Sequence, residues 1–121
     1  MPQLSDREWT VLTALWDAGG STLGELTEAL RPETGWSRNT VLTYLTRMEA
    51  KGLVAIDKSA SPHRYQAALD RADCQARERR SFLQRVYRGS AGDLVAAFLR
   101  EEPLSAGERE ELRRLLDEME V

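Results

Sequence analysis

Cysteine is almost missing from this 121-residue chain: Cys74 stands alone, so no internal disulfide can form. Histidine is as scarce, with His63 the single one. There is no zinc-ligand spacing, no catalytic-triad order and no glycine-rich phosphate loop. No apolar run approaches the roughly 20 residues that span a bilayer. The opening MPQLSDREW lacks the basic and apolar regions of a signal peptide. These absences lead to the expectation of a cytoplasmic protein that is not an enzyme, holds no cofactor or metal and does not insert into a membrane.

What is present suffices for a core. The chain is 41% hydrophobic and 31% charged, too apolar for disorder. Its length fits one compact domain, or a small domain with an arm. The net charge of −3 is unhelpful for a nucleic-acid binder, but position matters more than the total. Between Trp36 and Arg64 stand Arg38, Arg47, Lys51, Lys58 and Arg64 against only Glu49 and Asp57, a local balance of +3. The acids gather elsewhere, above all in the C-terminal EREELRRLLDEMEV.

Helix signals are plain. Ser5 and Glu8 form a capping box, with Leu4 placed to staple onto Trp9. Trp9, Leu12, Leu15 and Trp16 repeat at helical spacing until Ala18-Gly19-Gly20. Thr22 and Glu25 open a second helix whose inner face is Leu23, Leu26 and Leu30, with Pro32 expected just past its end and Glu33-Thr34-Gly35 as a turn. Ser37 caps a third helix, Arg38 to Ala50, stopped by Lys51-Gly52. Leu53–Ile56 and His63–Ala67 read as the strands of a hairpin around Lys58–Pro62. A long helix from Arg71 to Tyr87 follows, then a short one carrying Leu94, Val95, Phe98 and Leu99. A last helix opens on the Ser105/Glu108 box.

Three helices, a hairpin and three more helices predict a mainly α fold with a small β-hairpin. Residues 1–69 form a winged helix-turn-helix DNA-binding domain and residues 70–121 a helical dimerisation arm. The arm carries apolar stripes with little to bury them against in one chain. A second copy would cover Phe82, Val86, Leu94, Phe98, Leu112, Leu115, Leu116 and Met119.

In this order the third helix enters the major groove. Val41, Leu45 and Met48 fall on its core side. Asn39, Thr43, Thr46 and Arg47 fall opposite, on a short, hydrogen-bonding face almost free of acid. Arg47 suits a guanine or a phosphate, Asn39 an adenine, and Thr43 a base edge or methyl. Leu42 has two readings, a thymine-methyl contact or extra core packing. Ser37 and Arg38 sit at the positive end of the helix, where phosphate is favoured. Lys58, His63 and Arg64 of the hairpin read as phosphate contacts. Tyr44, Trp9, Trp16 and Trp36 read as core or its flank.

The stretches LSDREWTVLTALW, WSRNTVLTYLTRMEAKGLVAIDK, HRYQAAL and FLQRVYRGSAGDLVAAFLREEPLSAGEREELRRLL together resemble the penicillinase-repressor family of BlaI/MecI-type, CopY-related winged-helix regulators. The resemblance implies a homodimeric repressor on a palindromic double-stranded operator. Arg38, Asn39, Thr40, Thr43 and Arg47 would lie in the recognition helix. It also implies relief of repression by a sensor-linked protease, here at Ala97-Phe98. Leu42 stands where such repressors can carry a basic residue, Ala97 where they carry a polar one, and the closing MEV has no cysteine pairs. Two alternatives come from other residues: a redox- or ligand-sensing regulator using Cys74, or a winged helix that binds only protein.

Overall fold

The computed structural model describes residues 3–119. Its elements run α1 (Asp6–Ala18), β1 (Ser21–Thr22), α2 (Leu23–Thr34), α3 (Arg38–Ala50), β2 (Val54–Asp57), β3 (Arg64–Ala67), α4 (Arg71–Tyr87), α5 (Ala91–Glu101) and α6 (Ala106–Glu118). This is the winged helix-turn-helix order followed by three helices. Packing divides the chain into two compact units between Glu78 and Arg79, inside α4. The expected boundary at Leu69-Asp70 lies at the start of that helix; Cys74, buried in its first turns, belongs to the first unit.

The first unit is built on one apolar cluster. Val11, Leu12 and Leu15 of α1 meet Leu26 and Leu30 of α2, Val41, Leu45 and Met48 of α3, then Leu53, Val54 and Tyr65. All are buried, and truncating such a leucine to alanine typically costs about 2–5 kcal/mol. Leu4, Leu23, Trp16, Trp36 and Tyr44 pack on its margin. The inner side of α1 differs from the expected stripe. Its buried residues are Glu8, Val11, Leu12 and Leu15, while Trp9 turns half outward, tilted against Trp16 with ring centroids 6.1 Å apart. Glu8 and Trp9 stand about 100° apart on the helix, so centring the inner side on Glu8, Val11, Leu12 and Leu15 leaves Trp9 on its flank.

Glu8 is 7% exposed and completes two structures at once. Its Oε1 accepts from the Ser5 N–H at 2.9 Å, while the Ser5 hydroxyl accepts from the Glu8 N–H at 3.2 Å. Its Oε2 takes the Lys51 ammonium at 2.8 Å. The start of α1 is therefore tied to the end of α3, which Lys51 caps. Burial pushes the Glu8 carboxyl up, but the Lys51 hydrogen bond and charge and the Ser5 N–H and hydroxyl outweigh it and hold the group below its ordinary 4.5.

Two further boundaries depart from expectation. Pro32 lies inside α2, not beyond it. In the last turn it removes only the N–H that would have met the Glu28 carbonyl. The helix runs on to Thr34 and ends where Gly35 adopts the left-handed conformation (φ 65°), its N–H bonding the Arg31 carbonyl. The hairpin is also part of a three-stranded antiparallel sheet in the order β1-β3-β2. Ser21 and Thr22 pair with Tyr65 and Arg64, and Ile56 and Asp57 pair with the same two residues from the other side. Leu53 belongs to the exit of α3, donating to the Met48 carbonyl at 2.9 Å, so the strand begins one residue later than its apolar run. His63 likewise precedes its strand.

In the second unit, Ser90 caps α5, and Ser105 with Glu108 forms a full capping box on α6. Neither helix has a buried residue. Among the described residues, no helix is long and apolar enough to cross a membrane.

The Glu8–Lys51 bond gives a pH test. A carboxylate held low in the folded state stabilises above its unfolded value, about 4.5, and that contribution disappears as pH falls through the folded value. Glu8→Gln keeps the capping geometry but removes the charge. The expected outcome is a lower urea midpoint near neutral pH and a gap to wild type that closes in acid. Parallel midpoint curves for the two proteins would show that the charge carries no stability.

Candidate nucleic-acid interface

The third helix has two clean sides. Ser37 starts it, its hydroxyl accepting from the Thr40 N–H at 3.2 Å. Val41, Leu45 and Met48 lock the inner side into the core. Trp36 stacks on Tyr44 (centroids 4.6 Å, planes 23° apart), and the Tyr44 hydroxyl accepts from Arg7 at 3.0 Å. Tyr44 and Trp36 are thus flanks of the core. On the outer side Arg38, Asn39, Leu42, Thr43, Thr46 and Arg47 are exposed, and Thr40 is half-buried.

The hydroxyls on this side are less free than their residue types suggest. Thr43 donates to the Asn39 carbonyl at 2.9 Å, and Ser37 and Thr40 share a bond at 3.1 Å. What remains outward from these residues is largely lone pairs and methyl groups. Directional donors are left to Asn39, Arg38 and Arg47.

A cleft joins α3 to its neighbours. Arg38 and Leu42 line it with Thr22, Leu23 and Gly24 at the start of α2, and with Pro62, His63 and Tyr65 of the wing. The start of α2 was not among the residues singled out from sequence, although the Thr22/Glu25 capping box marks it as an end with outward-facing donors. The wing tip is shaped by Asp57, whose carboxylate accepts from the Ser59 hydroxyl at 2.6 Å and the Ser59 N–H at 3.0 Å and is held below its ordinary value by them. Lys58 and His63 are exposed beside it.

The local charge count needs revision. Lys51 is taken by Glu8. Arg64 lies 3.7 Å from Glu25 and donates to the Gly20 carbonyl at 3.4 Å, bracing β3 against the start of α2. Arg38, Arg47 and Lys58 have no ion-pair partner among the described residues and form the available positive surface.

Cys74 lies apart from this surface. It is buried. Burial raises its thiol above the ordinary value; Arg77 pulls it down, while Asp73 and Asp70 push the same way as burial. A thiol held in its neutral form is a poor nucleophile, and the residue packs α4 onto the first unit. Nearby, Trp16 donates to the Leu69 carbonyl at 3.0 Å and Arg71 bonds Asp17 at 2.7 Å, which secures the same junction.

Residues 4–118 match the family model described as penicillinase repressor. The chain belongs to the penicillinase repressor family. It is 31% identical over 118 residues to the penicillinase repressor of Bacillus licheniformis, covering 98% of this chain and 92% of that protein. It is 29% identical over 115 residues to the methicillin resistance regulatory protein MecI of Mammaliicoccus sciuri, covering 95% and 94%. Among solved structures, Bordetella bronchiseptica BpsR, whose DNA binding is regulated by 6-hydroxynicotinic acid, aligns over 97% of this chain and 75% of that one. The identity is 21% and the TM-score 0.49. As a penicillinase repressor family member the chain is a DNA-binding transcriptional repressor, not an enzyme.

The revised charges make a direct test. Arg38→Ala and Lys58→Ala are each expected to reduce the slope of log affinity against log salt by about one on duplex DNA. Lys51→Ala is expected to leave the slope alone and lower stability by about 1 kcal/mol, the lysine end being partly screened by water. Titrations at several salt concentrations with a thermal melt of each variant separate the two effects.

Proposed function

We propose that two copies of this chain bind a palindromic double-stranded operator and repress the adjacent promoter, each inserting α3 into the major groove with its wing against the flanking backbone. The observation that carries this reading is the division of α3: one side sealed in the core, the other exposed and mainly polar, with Glu49 near its end as the one acid of the helix. Arg47 forms a bidentate bond with guanine or clamps a phosphate, and Asn39 pairs with adenine or a backbone oxygen. Thr43 and Thr46 contact base edges. Ser37, Arg38 and Thr40 face phosphate at the positive end of the helix. Lys58, His63 and, more weakly because of its internal bonds, Arg64 hold the backbone from the wing.

Residues 70–121 serve as the dimerisation domain and residues 1–69 as the DNA-binding domain. Support comes from the apolar surface left uncovered in the second unit. Phe82, Val86, Val95, Phe98, Leu99, Leu115, Leu116 and Met119 are all exposed, and Leu94 and Leu112 are only half-buried. Such an area is unfavourable in water and is covered by a symmetric second copy. Repression ends by cleavage between Ala97 and Phe98 by a sensor-linked protease. That bond lies in α5, with Phe98 55% exposed. Cutting it removes part of the paired surface, so each winged helix loses the avidity of the other.

Arg47→Ala is expected to weaken operator binding by about 1–3 kcal/mol with the melting temperature unchanged. Wild-type affinity in that folded variant would overturn the role of α3. Glutamates placed together at Leu112 and Leu116 are expected to give monomers in sedimentation, with weakened operator binding. A dimer surviving both changes would overturn the arm's assignment.

A further inference from the structure

We propose that Leu42 reads the 5-methyl group of a thymine, so that operator choice includes an apolar contact at the edge of an otherwise polar surface. The inference rests on α3 lying in the major groove, as argued above.

Among the described residues, Leu42 is the one exposed large apolar side chain of the first unit, at 38%; the others belong to the second. An isolated exposed leucine is ordinary on a protein surface. This one is set apart by its place. It stands one turn after Arg38 and one turn before Thr46 on the outer side of α3. It lines the cleft with Leu23 and Gly24 on one flank and Pro62 and His63 on the other. The core is complete without it, since Val41, Leu45 and Met48 already fill the inner side. Leu42 lies outside that cluster, and its exposed part lines the cleft.

Its neighbours on the helix face are Arg38 and Asn39 one turn before it and Thr46 one turn after, so it stands as an apolar contact beside polar ones. The hydroxyls of Thr40 and Thr43 are engaged within the helix end, with Ser37 and with the Asn39 carbonyl. In the major groove thymine alone among the four bases presents an apolar group, its C5-methyl, beside its O4 acceptor. A leucine there favours thymine by removing that methyl from water, and disfavours cytosine, whose amino group would lose its own hydration against hydrocarbon. Burying one methyl corresponds to a discrimination of about four-fold per half-site.

The test uses two random-sequence duplex pools, one with thymidine and one with deoxyuridine in its place. Wild type, Leu42→Ala and Leu42→Asn are selected against both, after melts establish that each is folded. Wild type is expected to enrich thymine at one position of each half-site in the first pool. In the deoxyuridine pool that preference falls by about four-fold while the other selected positions persist. Leu42→Ala and Leu42→Asn lose the preference in the thymidine pool and keep the rest of the site. The proposal is overturned if the preference survives in the deoxyuridine pool or in Leu42→Ala, or if the selected operator has no thymine preference. If wild type selects no sequence at all, the groove-binding reading fails and the proposal falls with it.

Discussion

The burial of Val41, Leu45 and Met48 is the constraint on which the rest of this structure depends. These three side chains fix the rotation of α3 about its own axis, and so decide which residues face outward. Everything else in the first unit holds that helix where it is. α1 and α2 form the bed, the Glu8–Lys51 bond pins its C-terminal end, and Trp36 stacked on Tyr44 braces its start. A repressor of this size has little stability to spare. It is consistent that Glu8, the one buried charged residue among those described, serves as both helix cap and ion-pair partner.

Much of this was legible from residue order. Capping boxes are local signals, and Ser5/Glu8, Thr22/Glu25 and Ser105/Glu108 all form as their spacing predicts. The inner and outer sides of α3 followed from the 3.6-residue period, since exposure of Asn39, Thr43 and Arg47 is the complement of the buried Val41, Leu45 and Met48. What failed was long-range. β1 is two residues long, and nothing in Ser21-Thr22 announces a strand; its existence depends on Tyr65 and Arg64 arriving from far along the chain. A charge count treated Lys51 and Arg64 as available, because counting cannot see Glu8 and Glu25 across the fold. Pro32 was placed outside α2 because proline is a helix breaker in mid-helix, whereas in the final turn its missing N–H costs little.

The two units differ in how completely they satisfy themselves. The first closes around its cluster and leaves one large apolar side chain outside. The second has well-capped helices and no buried side chain in α5 or α6. Local signals of helix formation are therefore as strong in the arm as in the winged helix, but its burial is deferred. The exposed polar side of α3 and the exposed apolar side chains of the arm therefore belong to different units.

The wing has a built-in division between what is anchored and what is not. Its middle strand, β3, is held on both edges, by β1 and by β2, so the hairpin has no independent hinge at its root. Only residues 58–63 beyond the paired strands are free of the ladder. Insertions or deletions there would change how far the hairpin reaches without disturbing α3, which the core holds. During divergence, the reach of the loop and the outward residues of α3 can therefore drift separately.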